Sequence, residues 1–195
     1  IGEWVLREAC REAASWPNPL TVAVNVSAVQ VHAPHFVQLV HEVLFQTGLK
    51  AERLEIEITE TALIRDPSRA QSTLRQLKSL GVRIAMDDFG TGYSSLSNLR
   101  TYPFDKIKID GSFIRSVHTD EQTKAIVRSV LGLGRGLGLP VLAEGVETLD
   151  ELRFLEAENC QSAQGYLMGR PAPIAQFAQH THEGSAVPEP MVKVA

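Results

Sequence analysis

The sequence predicts an α/β fold in which parallel strands alternate with helices, and three observations support this. Short apolar runs of strand length recur six times along the 195 residues. Amphipathic stretches with helical spacing separate these runs. Polar residues follow one run after another, as they do where the carboxyl ends of parallel strands form the mouth of a barrel. Because a closed eight-stranded barrel takes about 250 residues, the sequence predicts a barrel that lacks about its first two strands.

The composition fits one globular domain, since 44% of the residues are hydrophobic and 22% are charged. A net charge of −4 without a Lys/Arg-rich patch argues against binding of a long nucleic acid. No apolar run approaches the roughly 18 residues of a membrane span. Cys10 and Cys160 fit no metal or redox spacing, so we expect two reduced thiols. The expected location is the cytoplasm, either as a free protein or as the cytoplasmic part of a membrane-anchored one.

The predicted helices are bounded by residues that commonly begin or end helices. The residues that set these ends are Pro17, Pro34, Gly48, Asp66 with Pro67, Gly81, Asp120, Thr148 with Glu151, and Pro171. The helix after Asp120 is expected to bury Ile126, Val130, Leu133 and Leu137, and its glycine-rich end is expected to pack closely. Residues 1–178 are predicted to form the domain, and residues 179–195 a disordered tail.

The strand-like runs cover residues 21–24, 54–56, 83–86, 106–107 and 141–143, with a last run before Gln164. Their ends share an excess of carboxylate, amide and ammonium side chains. In chain order these are Asn25, Glu57 with Glu60, Asp87 with Asp88, Lys108 with Asp110, Glu144 with Glu147, and Gln164. The carboxyl ends of parallel strands meet at one face of a barrel, so these side chains are expected to converge.

Asp87 and Asp88 follow the apolar run at residues 83–86 and precede Gly90 and Gly92. Neighbouring residues on a strand point to opposite faces, so both carboxylates can face one ion only if the backbone turns there. The glycines permit such a turn. Two carboxylates at a strand end suit a hard divalent cation. Alternatively, one of them is the N-cap of a short helix near residues 94–96.

Taken together, these residues resemble the EAL domain family, phosphodiesterases that act on the bacterial second messenger cyclic di-GMP. Six motifs carry the resemblance, in family order and over almost the whole chain before the proline-rich tail. They are Asn25-Val26-Ser27, Glu57-Ile58-Thr59-Glu60, DDFGTGYSSL at residues 87–96, Lys108-Ile109-Asp110 with Phe113, Glu144-Gly145-Val146-Glu147, and Gln164-Gly165-Tyr166. The Glu-Ala-Leu signature that names the family, and the arginine after it, do not occur in this sequence.

The resemblance implies a TIM-barrel-like (β/α)8 variant with two Mg²⁺ or Mn²⁺ ions at its mouth. The implied metal ligands are Asn25, Glu57, Asp87, Asp88 and Glu144, with Asp87 bridging the metals. The implied catalytic residues are Lys108, Glu144 and Gln164. The implied supports of the neighbouring loop, which lies near the family's dimer contact, are Glu60, Gly90, Thr91 and Gly92. Asp110 and Glu147 would lie behind the ligands or beside the substrate.

The predicted function is therefore hydrolysis of cyclic di-GMP to linear pGpG by a water that two metals activate. The alternative is a cyclic di-GMP receptor or protein-interaction module without catalysis, which the missing signature favours. A Schiff-base enzyme built on Lys108 would need a lowered pKa, which the surrounding acids oppose. The resemblance implies three partners: cyclic di-GMP, a second copy in a homodimer, and an upstream sensor or GGDEF-type domain.

Overall fold

The structure, a computed structural model, describes residues 1–91 and 96–182, with the backbone alone at residues 96–98. Its strands are β1 (Val22–Asn25), β2 (Leu54–Thr59), β3 (Arg83–Phe89), β4 (Lys106–Ile109), β5 (Val141–Ala143) and β6 (Ser162–Ala163). They form one parallel sheet in which each strand pairs with the next along the chain. This is the strand order of a (β/α)8 barrel, and it confirms the predicted α/β, TIM-barrel-like architecture.

Helices connect the strands, as parallel pairing requires. The described helices are α1 (Gly2–Ala14), α2 (Ala28–Val31), α3 (Phe36–Thr47), α4 (Thr61–Ile64), α5 (Pro67–Ser79), α6 (Leu96–Thr101), α7 (Gly111–Ile114), α8 (Glu121–Leu137), α9 (Leu149–Ala157) and α10 (Ala178–Thr181). Two short 3-10 segments, Ala51–Arg53 and Ile174–Phe177, complete the described elements. Within these ranges, no helix combines the length and apolar character needed to cross a lipid bilayer.

The sheet separates apolar and charged side chains by strand alternation. Along β2, Ile56 and Ile58 are fully buried, as are Ile84 on β3 and Ile107 on β4. These residues form a core with apolar residues of the helices. The alternate positions of the same strands carry charges, and these face one another across the opposite side of the sheet. The core therefore lies between sheet and helices, and the other sheet face is free to hold polar chemistry.

Several predicted helix ends are confirmed in atomic detail. Asp66 caps α5 by accepting a 3.0 Å hydrogen bond from the Arg69 backbone N–H. Gly48 ends α3 at a φ of 70°, the left-handed region where glycine is favoured. Thr148 and Glu151 form the predicted capping box of α9. Both cysteines are free thiols, as predicted.

The prediction of the buried face of α8 was partly wrong. The helix buries Val127, Val130 and Leu131, whereas Ile126 and Leu137 are exposed. Gly134 continues the buried face, and an added Cβ there would overlap the Val141 side chain. Val127, Val130, Leu131 and Gly134 follow helical spacing and face the sheet together, whereas Leu137 is the last residue of the helix.

The last helix begins later than predicted, because Pro171 and Pro173 both precede the 3-10 segment Ile174–Phe177. The residue before a proline is biased towards extended backbone, so a helix cannot start until the second proline has passed. The boundary predicted at residue 178 falls inside α10. The Asn18 backbone N–H donates to the Thr181 carbonyl at 2.9 Å, and Thr181 is buried. Residues 183–195 of the predicted tail lie outside the described residues.

Candidate metal centre at the strand ends

Three carboxylates from three different strand ends surround one ammonium group. Lys108 Nζ lies 2.8 Å from Glu57 Oε2, 2.9 Å from Asp87 Oδ1 and 2.8 Å from Glu144 Oε1. Glu57 is on β2, Asp87 on β3 and Lys108 on β4, whereas Glu144 directly follows β5. Parallel strands in sequential order bring these positions to one face. The structure thus brings together four residues that the sequence had predicted for the site.

Lys108 is shielded from solvent, with 3% of its side chain exposed. Burial acts to lower its pKa, but the charge of Glu57 and the contacts with Glu144 and Glu57 outweigh burial, and the net shift is upward. The side chain therefore stays an ammonium at neutral pH. A Schiff-base role, which needs a neutral amine, is disfavoured by the same shift.

Asp87 and Asp88 face one site because the pairing of β3 with β4 is irregular at these two residues. The register with β4 shifts between Met86 and Phe89, and Asp88 has a φ of 53°. This left-handed conformation, unusual for a residue other than glycine, breaks the alternation of side chains. Both residues lie within β3, well before α6 begins at Leu96, so the N-cap alternative does not apply to α6.

Glu144 lies where β5 ends, and its environment disfavours negative charge. Burial, followed by the charges of Asp87 and Glu57, raises the pKa of Glu144 to about 7, although Lys108 opposes the shift. Gln164 follows β6 and donates a 3.1 Å hydrogen bond from Nε2 to Glu144 Oε1. Burial also raises the pKa values of Glu57 and Asp88. The raised pKa values show that burial and crowding of carboxylates outweigh the single positive charge of Lys108.

Two further predicted residues flank this group. Asn25 ends β1 directly beside Glu57 in the strand register, but it is exposed. Glu60 lies at the start of α4 and is 4% exposed, and neither of its carboxylate oxygens makes a hydrogen bond with the described residues. A buried carboxylate normally has hydrogen-bond partners, so Glu60 is an exception among the described residues.

The loop after β3 is held by glycine geometry and by a threonine. Gly90 has a φ of 101°, and a Cβ there would lie 3.0 Å from the Phe113 ring. Thr91 Oγ1 donates a 2.9 Å hydrogen bond to the Asp88 carbonyl. A side chain at residue 90 would therefore disturb the turn that places Asp88. Gly92, the fourth predicted loop residue, lies outside the described residues.

Asp110 and Glu147 lie at the margin of the site. Asp110 caps α7 by accepting a 2.9 Å hydrogen bond from the Ser112 backbone N–H. Hydrogen bonds from Ser112 lower the pKa of Asp110, and its charge contributes to the raised pKa of Asp88. Glu147 is exposed, and its backbone N–H donates to Glu151.

A second ion pair lies one layer deeper in the sheet, and sequence reasoning missed its partner. Lys106 Nζ lies 2.6 Å from Glu55 Oε1, and the Glu55 side chain is 4% exposed. Glu55 and Lys106 precede Glu57 and Lys108 by two positions, so both pairs face the same side of the sheet. The signal was present in the alternating runs LEIEIT and KIKI, which place charges two residues apart on the same face of each strand.

The residues present fit a hard divalent cation. Carboxylate oxygens of Asp87, Asp88 and Glu144 all lie within 4.8 Å of one another. Asp87 Oδ1 is buried and makes no hydrogen bond, even though Lys108 Nζ is 2.9 Å away. An oxygen without a hydrogen bond, among other carboxylate oxygens, is suited to metal coordination. Among the described residues, the cluster contains neither cysteine nor histidine, the ligands that would favour zinc.

Comparison with known proteins identifies the family. Residues 1–171 match the EAL domain family. The chain belongs to this family. A signaling protein of Caulobacter vibrioides, itself uncharacterized, is 58% identical over 184 residues, which are 94% of this chain and 23% of that protein. The bifunctional diguanylate cyclase/cyclic di-GMP phosphodiesterase MucR of Pseudomonas aeruginosa is 43% identical over 91% of this EAL chain and 26% of MucR.

Two solved structures share the fold. The PaMucR phosphodiesterase in complex with c-di-GMP superposes with a TM-score of 0.86 at 42% identity, covering 90% of this chain and 73% of that one. The manganese/cy-diGMP complex of Klebsiella pneumoniae BlrP1 superposes with a TM-score of 0.82 at 35% identity, covering 88% of this chain and 44% of that one. The chain spans about a quarter of the length of the curated relatives it matches, 23% and 26%.

Proposed function

We propose that this EAL chain is the larger part of a catalytic domain that hydrolyses cyclic di-GMP to linear pGpG with Mg²⁺ or Mn²⁺. The observation that carries the proposal is the convergence of Glu57, Asp87 and Glu144 on one point, within 2.9 Å of Lys108 Nζ. MucR, a relative, is a cyclic di-GMP phosphodiesterase by name. The manganese and c-di-GMP complex of BlrP1 supports the choice of ligand and metal.

In this proposal two metal ions are held by Asn25, Glu57, Asp87, Asp88 and Glu144. When bound, such ions supply a nucleophile at neutral pH and neutralise charge on the phosphodiester. The protein's own side chains orient the carboxylate ligands and neutralise negative charge. Gln164 Nε2 donates to Glu144 Oε1 at 3.1 Å and so fixes the orientation of that carboxylate. The Lys108 ammonium, kept charged by its carboxylate neighbours, can donate to a phosphate oxygen or hold the attacking water.

The supporting residues act on the position of the ligands. Glu60 and the loop at Gly90 and Thr91 would hold Asp88 in its left-handed conformation, since Thr91 Oγ1 donates to the Asp88 carbonyl. Asp110 would place further negative charge near Asp88, as their charge coupling indicates. Glu147, exposed beyond the cluster, would face the substrate side.

The test is turnover of cyclic di-GMP by the full-length protein with Mg²⁺ or Mn²⁺, measured as pGpG by chromatography. We expect Asp87→Asn to lower turnover by at least about 100-fold, since Asp87 would be a metal ligand and the ions would supply several kcal/mol of charge stabilisation. The circular dichroism spectrum should stay unchanged. Asp150→Asn changes an exposed aspartate whose ion pair among the described residues is with Arg153, and this matched control should keep full turnover.

Two other outcomes would reject the proposal. Turnover by Asp87→Asn at the wild-type rate would remove Asp87 from the mechanism. Tight binding of cyclic di-GMP by the wild-type protein without turnover would favour the receptor alternative. We also propose that the domain works as a homodimer and lies beside a sensor or GGDEF-type domain. The two-activity name of MucR supports a neighbouring cyclase domain. Analytical ultracentrifugation of the full-length protein tests the dimer.

A further inference from the structure

Lys108 occupies a position that its proposed catalytic role does not require. Its Nζ lies among Glu57, Asp87 and Glu144, at 2.8 to 2.9 Å from one oxygen of each. These three oxygens belong to residues that the proposed function assigns to the metals. An ammonium group and a divalent cation compete for the same carboxylate oxygens, because the two positive charges repel.

The burial of Lys108 also indicates that it cannot act on a substrate from its present position. With 3% of its side chain exposed, Nζ is not reachable by a phosphate group in this arrangement. Gln164 and Glu144 are more open, since the Glu144 side chain is 16% exposed. Lys108 must therefore be uncovered before it can contact a substrate, and some event has to break its three ion pairs.

The charges of the cluster identify that event. One ammonium faces three carboxylates, with Asp88 beside them. Asp87 Oδ1 remains buried without a hydrogen bond although Nζ is close. A single charge with tetrahedral donors thus compensates this cluster incompletely, and divalent cations compensate it better. Metal binding supplies the energy to displace the ammonium.

We propose that Lys108 is a placeholder cation, which holds the ligand carboxylates together in the metal-free protein and is released towards the substrate when metals bind. This inference rests on the proposed function, and it adds a regulatory step to it. The metal-free site is closed to substrate because its lysine is engaged. The metal then does two things at once, since it fills the site and frees the lysine. Lys108 therefore also lowers the affinity of the site for metal.

The test is binding of Mn²⁺ to metal-depleted full-length protein, measured from the electron paramagnetic resonance signal of the free ion and without nucleotide. We expect Lys108→Met to bind Mn²⁺ at least about tenfold more tightly than wild type, which corresponds to about 1.4 kcal/mol. Lys108→Arg keeps a cation among the carboxylates and should bind like wild type. Lys106→Met is the matched control, since it removes a neighbouring charge that pairs with Glu55 instead.

The outcomes separate the two proposals. If Lys108→Met binds Mn²⁺ no more tightly than Lys106→Met, or if Lys108→Arg gains as much as Lys108→Met, the placeholder role is wrong while the metal site stands. If wild type and Asp87→Asn bind Mn²⁺ equally, the metal site itself is wrong, and the proposed function fails with it. Should Lys108→Met not fold without metal, Lys108→Gln, which keeps amide donors without the charge, replaces it.

Discussion

At the scale of single residues, Asp88 combines two unfavourable features at one position. Its φ of 53° costs a residue other than glycine about 1 kcal/mol. Burial, then the charges of Asp87 and Asp110, raises the pKa of its carboxyl. Strained backbone and crowded carboxylates at one residue are retained where they position a ligand. We therefore expect Asp88 to lower stability in return for its proposed role as a metal ligand.

Asp88→Gly should therefore affect stability and Mn²⁺ affinity in opposite directions. Asp88→Gly should make the metal-free protein as stable as wild type or up to about 1 kcal/mol more stable, because glycine tolerates the left-handed backbone. The same variant should bind Mn²⁺ roughly tenfold more weakly, since a ligand oxygen is lost. Thermal denaturation with a chelator and Mn²⁺ titration measure the two effects.

Asn159 provides the matched control for Asp88→Gly. It also has a left-handed backbone, at a φ of 57°, but it is exposed and distant from the carboxylate cluster in the fold, just before β6. Asn159→Gly should change stability in the same direction and leave Mn²⁺ affinity alone. A loss of stability in Asp88→Gly beyond that in Asn159→Gly would contradict the idea that Asp88 is strained.

At the scale of elements, α8 is a long helix with three glycines in its last turns, at positions 132, 134 and 136. Only one of them has a packing reason. A Cβ on Gly134 would overlap the Val141 side chain and lie 2.8 Å from the Leu139 carbonyl oxygen, whereas a Cβ on Gly136 has no neighbour within 4 Å. The close approach at Gly134 lets α8 lie directly against β5, the strand that presents Glu144.

Two alanine substitutions in α8 should therefore change the stability of the protein in opposite directions. Gly136→Ala should stabilise the protein by up to about 1 kcal/mol, because alanine is the better helix former and nothing obstructs it. Gly134→Ala should destabilise by about 1 to 3 kcal/mol, since the added methyl group overpacks the interface. Chemical denaturation measures both. Equal stabilisation by the two substitutions would mean that α8 does not pack on Val141 as described.

At the scale of the whole molecule, we expect the carboxylate cluster to make stability depend on pH and, if the proposed metals bind, on metal concentration. The pKa of Glu144 is raised by burial and then by Asp87 and Glu57, from 4.5 to about 7. The folded protein thus holds this proton more tightly than the unfolded chain does. The resulting contribution to stability is complete below about pH 4.5 and is lost as pH rises through about 7. The upward shift of Glu57 has the same sign.

We therefore expect the Tm of the metal-free protein to fall between pH 5 and 7, by linkage to the upward shift of Glu144 to about 7. Glu144→Gln should flatten that slope, and the exposed Glu156→Gln should retain it. Saturating Mn²⁺ should raise the Tm more at the upper end of this range, because metal binds the ionised carboxylates. A Tm of the metal-free protein that rises over this interval would contradict the assignment.

Much of the fold could be predicted from local sequence, since strands and helix ends depend on neighbouring residues. The cap at Asp66, the stop at Gly48 and the capping box at Thr148 were predicted from short patterns and are present. The buried face of α8 was not, because it depends on how closely Gly134 approaches Val141. The site residues could be named from their positions after strand-like runs, but their distances could not.

The sequence by itself determined the alternation of strands and helices, the family motifs, and the supply of carboxylates at successive strand ends. Only the tertiary structure decided that Glu57, Asp87 and Glu144 meet at Lys108, that the register shift in β3 turns Asp88 to the same side, and that Lys106 pairs with Glu55. The physical reason is that strand propensity is local. Contacts among strand ends are set by register and by the order of strands in the sheet, which no single segment encodes.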